Sequence, residues 1–102
     1  MITYYTKEGK FKVRYYENIP LDKLDRKKGP ALVDGILKFK LWYTNGLLHR
    51  LDGPAVIWGN GKKEWWINGK KLCTKKVETW IKENNINLKT KQHQTLFILI
   101  FI

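Results

Sequence analysis

Few residues of this chain belong to the types that carry out covalent catalysis. The only histidines are His49 and His93, and the only cysteine is Cys73. A thiol and an imidazole can form a nucleophile–base pair, but nothing in the spacing of Cys73 and His49 positions one beside the other. The placement of cysteine and histidine also matches no zinc-binding spacing, so no metal site is predicted.

One run of residues resembles a phosphate-binding loop, but its spacing is wrong. The run Gly59-Asn60-Gly61-Lys62-Lys63 has glycines before lysines, yet it lacks the GxxxxGK[ST] spacing and the following helix of a phosphate-binding loop. A hairpin turn explains it better. The carboxylates form no paired pattern, and we expect Asp52 to accept backbone N–H bonds in a turn. We therefore predict a non-enzymatic protein with no catalytic residue, cofactor or small-molecule substrate.

The alternation of basic and aromatic residues is the one pattern with binding chemistry. Lysine and arginine total 20 against 9 acidic residues, which gives a formal net charge of +11, and there are five tryptophans. If the predicted strands align, five lysines share one face as a basic stripe, with Trp42 or Trp66 beside it: Lys10, Lys12, Lys38, Lys40 and Lys62. Lysines that neutralise phosphates beside rings that stack on bases are typical of single-stranded nucleic-acid binding. Exposed lysines that only prevent edge pairing of an open sheet are the alternative.

These residues lie on segments that predict a mainly β fold of three antiparallel hairpins. Phe11, Val13 and Tyr15 alternate with basic residues, as in a half-buried strand. Asn45-Gly46 and Asn68-Gly69 are strong signals for hairpin turns, because a type I′ turn needs positive φ at both central residues. The predicted hairpins span residues 2–18, 29–46 and 52–69, and a connection occupies residues 19–28.

The second and third hairpins have similar sequences. Gly-Pro-Ala occurs at 29–31 and again 24 residues later, at 53–55, whereas the two Asn-Gly turns lie 23 residues apart. A repeated period with turn residues at fixed offsets indicates a repeat of one supersecondary unit. Since the two spacings differ by one residue, Trp42 corresponds to either Trp65 or Trp66. The sequence therefore does not decide which side chains of each strand point inward.

The C-terminal third predicts a capping helix followed by an apolar segment. We expect Thr74 to act as the N-cap of a helix over 74–84, with Val77, Trp80 and Ile81 as its apolar stripe. The segment 95–102 ends in seven consecutive apolar residues, far fewer than the ~20 that a membrane-spanning helix needs. A strand buried on both faces, a buried helical turn and a docking tail remain alternatives for it.

Length and composition predict one domain covering residues 1–102. A lone cysteine cannot form an internal disulfide, which argues against a disulfide-stapled secreted scaffold. The N-terminal residues show no signal-peptide pattern. We therefore expect a protein that is neither secreted nor transmembrane.

One segment carries a family resemblance. His49-Arg50-Leu51-Asp52-Gly53-Pro54-Ala55, followed by Asn60-Gly61 and by Trp65-Trp66-Ile67-Asn68-Gly69-Lys70, resembles a MORN-like repeat, of the variety found in phages and large DNA viruses. The chain departs from that pattern at Leu51, where an acidic residue is usual. The resemblance implies stacked antiparallel β-hairpins in an open sheet or short solenoid that serves as a scaffold or binding surface.

The resemblance implies a virus or phage protein, located in the host cytoplasm or the virion, and together with the composition it leads us to expect a protein-interaction module. Its expected partner is a host or virion protein, bound as a small inhibitor or as an assembly component. We expect Trp42, Trp58 and Trp66 to form the contact, with the five lysines named above supplying charge complementarity. A binder of nucleic acid or anionic lipid headgroups is the alternative, and the edge strands and apolar tail also allow a homodimer.

Overall fold

The computed structural model describes residues 1–102, which form ten short strands and two helices. The strands are β1 (Ile2–Thr6), β2 (Gly9–Val13), β3 (Leu32–Asp34), β4 (Phe39–Leu41), β5 (Tyr43–Thr44), β6 (Leu47–Leu48), β7 (Val56–Ile57), β8 (Lys63–Glu64), β9 (Trp66–Ile67) and β10 (Lys70–Lys71). The helices are α1 (Thr74–Glu83) and α2 (Lys91–Phe101). Two single turns of 3-10 helix, Tyr16–Asn18 and Leu21–Lys23, lie in the connection before β3.

Six strands form one antiparallel sheet in the order β2-β1-β3-β4-β7-β8. The hairpins β1–β2, β3–β4 and β7–β8 therefore lie side by side, and the predicted mainly β, antiparallel class is confirmed. The pairs β5–β6 and β9–β10 form two small hairpins outside this sheet. Each is closed by an Asn-Gly turn, in which Asn45 and Asn68 have φ of 50° and 48°, and Gly46 and Gly69 have φ of 78° and 79°. These are the positive values that a type I′ turn requires.

Matching hydrogen bonds show how the second hairpin region corresponds to the third. The N–H of His49 donates to the carbonyl of Trp42 at 3.0 Å, and the N–H of Leu72 donates to the carbonyl of Trp65 at 2.8 Å. The glycine that ends each Asn-Gly turn likewise donates to a leucine carbonyl. Trp42 therefore corresponds to Trp65, which settles the alternative that the sequence left open.

Two apolar clusters hold the molecule together. The first contains Ile2, Tyr4, Ile19, Leu24, Ala31 and Leu32, so the connection 19–28 contributes two of its side chains to the sheet core. The second contains Trp65, Ile67, Leu72, Val77, Leu88 and Phe97, and joins the end of the β-region to both helices. Helix α1 thus packs through Val77 into the cluster formed around the β9–β10 hairpin, with Trp80 and Ile81 alongside.

The start of α1 differs from the expectation. Cys73, not Thr74, occupies the N-cap position, and no side chain caps the helix there. The hydroxyl of Thr74 instead donates to the carbonyl of Lys63 at 3.3 Å, which links the first turn of the helix to strand β8. The prediction therefore placed the start of the helix correctly, but the Thr74 hydroxyl bonds to strand β8 and does not cap the helix.

The apolar segment 95–102 is helical, so the strand alternative is wrong. Helix α2 begins at Lys91, four residues before that segment, and the Thr90 hydroxyl accepts a hydrogen bond from the N–H of His93 at its N-terminus. The helix places Phe97 at 0% exposure, in ring contact with Trp65, Trp80 and Phe101. Leu99, on another side of the helix, remains 72% exposed. Neither helix has the length and apolar content needed to cross a bilayer.

Candidate functional site

The register of the six-stranded sheet separates two chemically different faces. Because successive side chains of a strand point to opposite faces, residues paired across strands share a face. One row across the sheet consists of Lys12, Thr3, Val33, Lys40, Ile57 and Lys63. The neighbouring row, on the opposite face, consists of Phe11, Tyr4, Leu32, Leu41, Val56 and Glu64. The sheet therefore carries lysines on one face and aromatic and apolar groups on the other.

An aromatic strip runs along the edge of the apolar face. We define it by Tyr16, Phe39, Trp58 and Trp66. The rings of Tyr16 and Phe39 stack with centroids 6.1 Å apart, and Trp58 meets Phe39 edge-on at 5.5 Å. Tyr16 and Trp58 are 46% and 38% exposed, so a chain of contacting rings reaches solvent.

Glu64 fixes the orientation of the two tryptophans in this strip. Its two carboxylate oxygens accept hydrogen bonds from the indole N–H of Trp58 at 2.8 Å and of Trp66 at 2.9 Å. Burial by itself would raise the pKa of Glu64, but the indole hydrogen bonds and the charge of Lys71 outweigh it and lower the pKa. Glu64 is therefore a carboxylate at neutral pH, and each of its two oxygens accepts one of the indole hydrogen bonds.

Asp34 fixes the other end of the strip. This buried carboxylate accepts a hydrogen bond from the Tyr16 hydroxyl and bonds at 2.8 Å from the backbone N–H groups of Ile36 and Leu37. The bond from Tyr16 and those backbone bonds lower the pKa of Asp34 despite its burial. Desolvation of the hydroxyl and the bond to Asp34 in turn raise the pKa of Tyr16 to about 12. The tyrosine therefore stays neutral and anchored.

Asp34 performs the role that the sequence suggested for Asp52. The carboxylate of Asp52 bonds no turn N–H group; it pairs with Arg50 at 2.8 Å and with Lys89 at 3.4 Å. Asp52 lies before a Gly-Pro pair, as the turn prediction assumed, but the guanidinium of Arg50 folds back over the same loop and binds it. The expectation for Asp52 was therefore wrong.

The three predicted tryptophans do not form one surface. Trp58 and Trp66 converge on Glu64, as described above. Trp42 extends the opposite, lysine-bearing face, and its ring is covered by the Arg50 guanidinium, whose carbon lies 3.9 Å from the ring centroid. The predicted stripe therefore has no uncovered aromatic ring beside it. Trp42 is covered by Arg50, and Trp66 lies on the other face of the sheet.

The five predicted lysines divide between strands and turns. Lys12 and Lys40 share the row described above, and Lys10 lies on the same face, paired with Tyr5. Lys38 has a positive φ of 63° in the turn between β3 and β4, and Lys62 lies in the turn between β7 and β8. Lys63, which follows Lys62, occupies the strand position that completes the row. Three of the five predicted lysines therefore share one face of the sheet, whereas Lys38 and Lys62 lie in turns and were placed in strands wrongly.

Two arginines that were not among the predicted site residues cover the rings of the lysine face. Arg26 lies over Tyr5 with its guanidinium carbon 3.9 Å from the ring centroid, just as Arg50 lies over Trp42. Each arginine also donates through Nη1 to a proline carbonyl four residues later, Pro30 and Pro54, at 3.1 and 3.0 Å. The matching Arg-x-x-Gly-Pro spacing at 26–30 and 50–54 was the available signal.

No cluster of three or more histidine, cysteine or carboxylate side chains comes together as a metal site would require. The Nδ1 atom of His49 accepts a hydrogen bond from the N–H of Asn68 at 3.0 Å, so the imidazole is engaged by the turn that closes β9–β10. No family model, curated protein or solved structure matches the chain.

Proposed function

We propose that the chain is a non-enzymatic interaction module that binds another protein through the aromatic strip. The observation that carries this proposal is that Trp58 is 38% exposed and yet held by a hydrogen bond to Glu64 and by the ring of Phe39. An exposed indole in one fixed orientation loses little conformational freedom when a partner covers it. Tryptophan and tyrosine are also enriched among the residues that dominate the energetics of protein interfaces.

The polar groups of the strip support this proposal. The indole N–H groups of Trp58 and Trp66 already have an acceptor, so a partner that covers the rings leaves no donor unsatisfied. The same holds for the Tyr16 hydroxyl, which donates to Asp34. What remains exposed is ring surface, which suits an apolar contact at the centre of an interface.

The finer identity of the module comes from the sequence resemblance. We propose that its hairpins form a MORN-like array, and that the partner is a host or virion protein met in the host cytoplasm or the virion. The recurrence of the Arg-over-ring contact at Arg26 and Arg50 supports an array of related units.

The test is a comparison of two single variants in capture from host lysate treated with nuclease. Trp58→Ala removes the exposed ring at the centre of the strip. Tyr15→Ala is the control, because Tyr15 is 60% exposed and lies outside the strip. We expect a stoichiometric band that survives nuclease and raised salt with the wild type and with Tyr15→Ala, and is lost with Trp58→Ala. Equal capture by all three proteins, or no salt-resistant band from any of them, would refute the proposal.

A second variant tests the fixed orientation of the indole. Glu64→Ala keeps all four aromatic residues of the strip but removes the acceptor that orients Trp58 and Trp66. We expect binding of the captured partner to weaken by about tenfold while the protein remains folded, because freed indoles must be reordered on binding. Unchanged affinity would show that the fixed orientation contributes nothing.

A further inference from the structure

The face of the sheet opposite the aromatic strip carries a row of three lysines without any acidic residue. Lys12, Lys40 and Lys63 share one row, and the strand positions between and beside them are held by Thr3, Val33, Ile57, Tyr5 and Lys10. We call Lys12, Lys40 and Lys63 the lysine row. All three are exposed, and none takes part in a salt bridge, since the salt bridges of the protein involve Arg50, Lys71 and Lys89. The row is therefore a line of uncompensated positive charge.

The charged surface extends beyond the row to the loops that cover Tyr5 and Trp42. Arg26 and Arg50 lie over these rings, and the open cleft beside them, about 510 Å³ in volume, is also lined by Lys27 and Lys28. Asp52, the acidic group of that cleft, is already paired with Arg50 and Lys89. We call the row together with Lys10 and these loop cations the basic face.

The spacing of the lysine row suits phosphates on a duplex. Strands lie about 4.8 Å apart, so the three strand steps from Lys12 to Lys40 span roughly 14 Å and the two steps from Lys40 to Lys63 roughly 10 Å. These separations bracket the ~12 Å width of the B-DNA major groove, across which phosphates of the two strands face each other. Flexible lysine side chains can absorb the difference.

The rings on this face argue for a duplex over a single strand. Proteins that hold single strands stack bases on open aromatic rings. Here Tyr5 and Trp42 are already covered by guanidinium groups, with each Arg carbon 3.9 Å from the ring centroid. The face offers cations for phosphates but no free ring for an unpaired base.

The apolar side chains argue against a lipid bilayer as the occupant. Thr3, Val33 and Ile57 between the lysines are more buried than exposed, and no large exposed hydrophobic side chain lies at a strand position of this face. A peripheral membrane protein needs apolar side chains that enter the bilayer beside its cations. The exposed apolar residues of α2, including Leu99, belong to a different part of the molecule.

We propose that the basic face binds double-stranded nucleic acid through its phosphates and without sequence preference. Neutralised phosphates release condensed counterions, so the observed affinity falls with salt with a log–log slope near −0.9 per phosphate contacted. With three to six contacts from the lysine row and the adjoining cations, we expect a slope between about −3 and −5. This proposal concerns a surface separate from the aromatic strip and does not depend on the protein partner.

The experiment measures fluorescence anisotropy of a labelled mixed-sequence DNA duplex over a range of salt concentrations. The row variant combines Lys12→Gln, Lys40→Gln and Lys63→Gln. A control variant with the same loss of charge combines Lys23→Gln, Lys70→Gln and Lys82→Gln, which are exposed, lie outside the six-stranded sheet and form no salt bridge. The row variant should flatten the slope by about 2.7 and weaken binding at low salt at least tenfold, whereas the control should change the slope by less than about 1.

Two further variants are measured in the same experiment. Replacing the same three row lysines by arginine should restore the slope, because the charge is kept, and this separates loss of contact from loss of fold. The Trp58→Ala variant should bind the duplex as the wild type does, so failure of the protein-binding proposal leaves this one standing. Equal effects of the row and control variants, tighter binding of a single strand of the same length, or binding to anionic vesicles but not to the duplex would each overturn the proposal.

Discussion

The Nδ1 atom of His49 accepts a hydrogen bond from the backbone N–H of Asn68 at 3.0 Å. The corresponding bond one hairpin earlier is made by a carboxylate: Asp25 accepts from the N–H of Asn45, also at 3.0 Å. Both bonds hold the first residue of an Asn-Gly turn, whose positive φ must be maintained. Histidine and aspartate are therefore two solutions to the same structural requirement, and only one of them titrates near neutral pH.

The titration of His49 should appear in the pH dependence of stability. Burial lowers the pKa of His49, so the folded protein holds this proton less tightly than the unfolded chain, whose pKa is about 6.5. The stabilisation is therefore complete above the unfolded pKa and is lost as pH falls through the lower, folded value. We expect His49→Asp to flatten the decline in the free energy of unfolding as pH falls below about 6.5, whereas His49→Ala should lose about 1 kcal/mol at neutral pH.

Urea titrations at a series of pH values measure this effect. His93 accepts a similar bond from the N–H of Asn87 at 2.7 Å, so both proteins keep His93 and only their difference is interpreted. A pH profile of His49→Asp that matches the wild type would show that the imidazole does not couple protonation to folding.

The contact between Arg50 and Trp42 should not tolerate lysine. Arg50 stacks on the ring while Nη1 donates to the Pro54 carbonyl and Nε to Asp52, three contacts that depend on a planar guanidinium. We expect Arg50→Lys to lower the free energy of unfolding by about 1–2 kcal/mol, from the lost cation–π contact and hydrogen bonds.

The matched control for that substitution is Arg14→Lys, because Arg14 is exposed and makes no hydrogen bond or salt bridge. Its effect should stay within about 0.5 kcal/mol in the same denaturation experiment. If the two substitutions have equal effects, the guanidinium geometry over Trp42 is not a source of stability.

Phe97 should be the most sensitive position of the C-terminal region. Its side chain has 0% exposure and contacts the rings of Trp65, Trp80 and Phe101. Truncation to alanine leaves a cavity where four rings meet, so Phe97→Ala should cost about 3–5 kcal/mol of unfolding free energy. Leu99→Ala, two residues along the same helix and 72% exposed, should cost less than about 1 kcal/mol. Comparable losses in thermal or urea denaturation would mean that α2 is not packed as described.

The local turn chemistry of this fold is predictable from sequence, whereas the position of one helix is not. Asn45-Gly46 and Asn68-Gly69 specify their turns through positive φ, which few other residues adopt. The run Leu96 to Ile102 is apolar at every position, so it has neither a helical nor a strand period. Its helix is decided by tertiary packing of Phe97 and Phe101 against Trp80, which no local pattern contains.

The composition of the two faces was only partly predictable for a related reason. The alternation of side chains along a strand correctly placed Lys10, Lys12 and Lys40 on one face of the sheet. Each of them lies in a strand long enough for this alternation to fix the direction of its side chain. At the third hairpin the turn is longer, which moves the strand position from Lys62 to Lys63. A shift of one residue exchanges the faces of a strand, so register depends on turn length that the sequence alone left open.

The two Asn-Gly turns offer a final test, because their glycines differ only in surroundings. Both Gly46 and Gly69 have φ near 80°, so alanine is strained equally at either position. A Cβ on Gly46 would lie 2.2 Å from the backbone oxygen of Asp22, whereas on Gly69 it would lie 3.2 Å from Cδ2 of Leu47, the end of a flexible side chain. We expect Gly69→Ala to cost about 1–2 kcal/mol and Gly46→Ala at least 1 kcal/mol more, because the 3-10 turn that contains Asp22 must move. Urea denaturation of the two variants side by side decides the matter, and a larger loss at Gly69 would contradict the packing of the connection 19–28 against the turn.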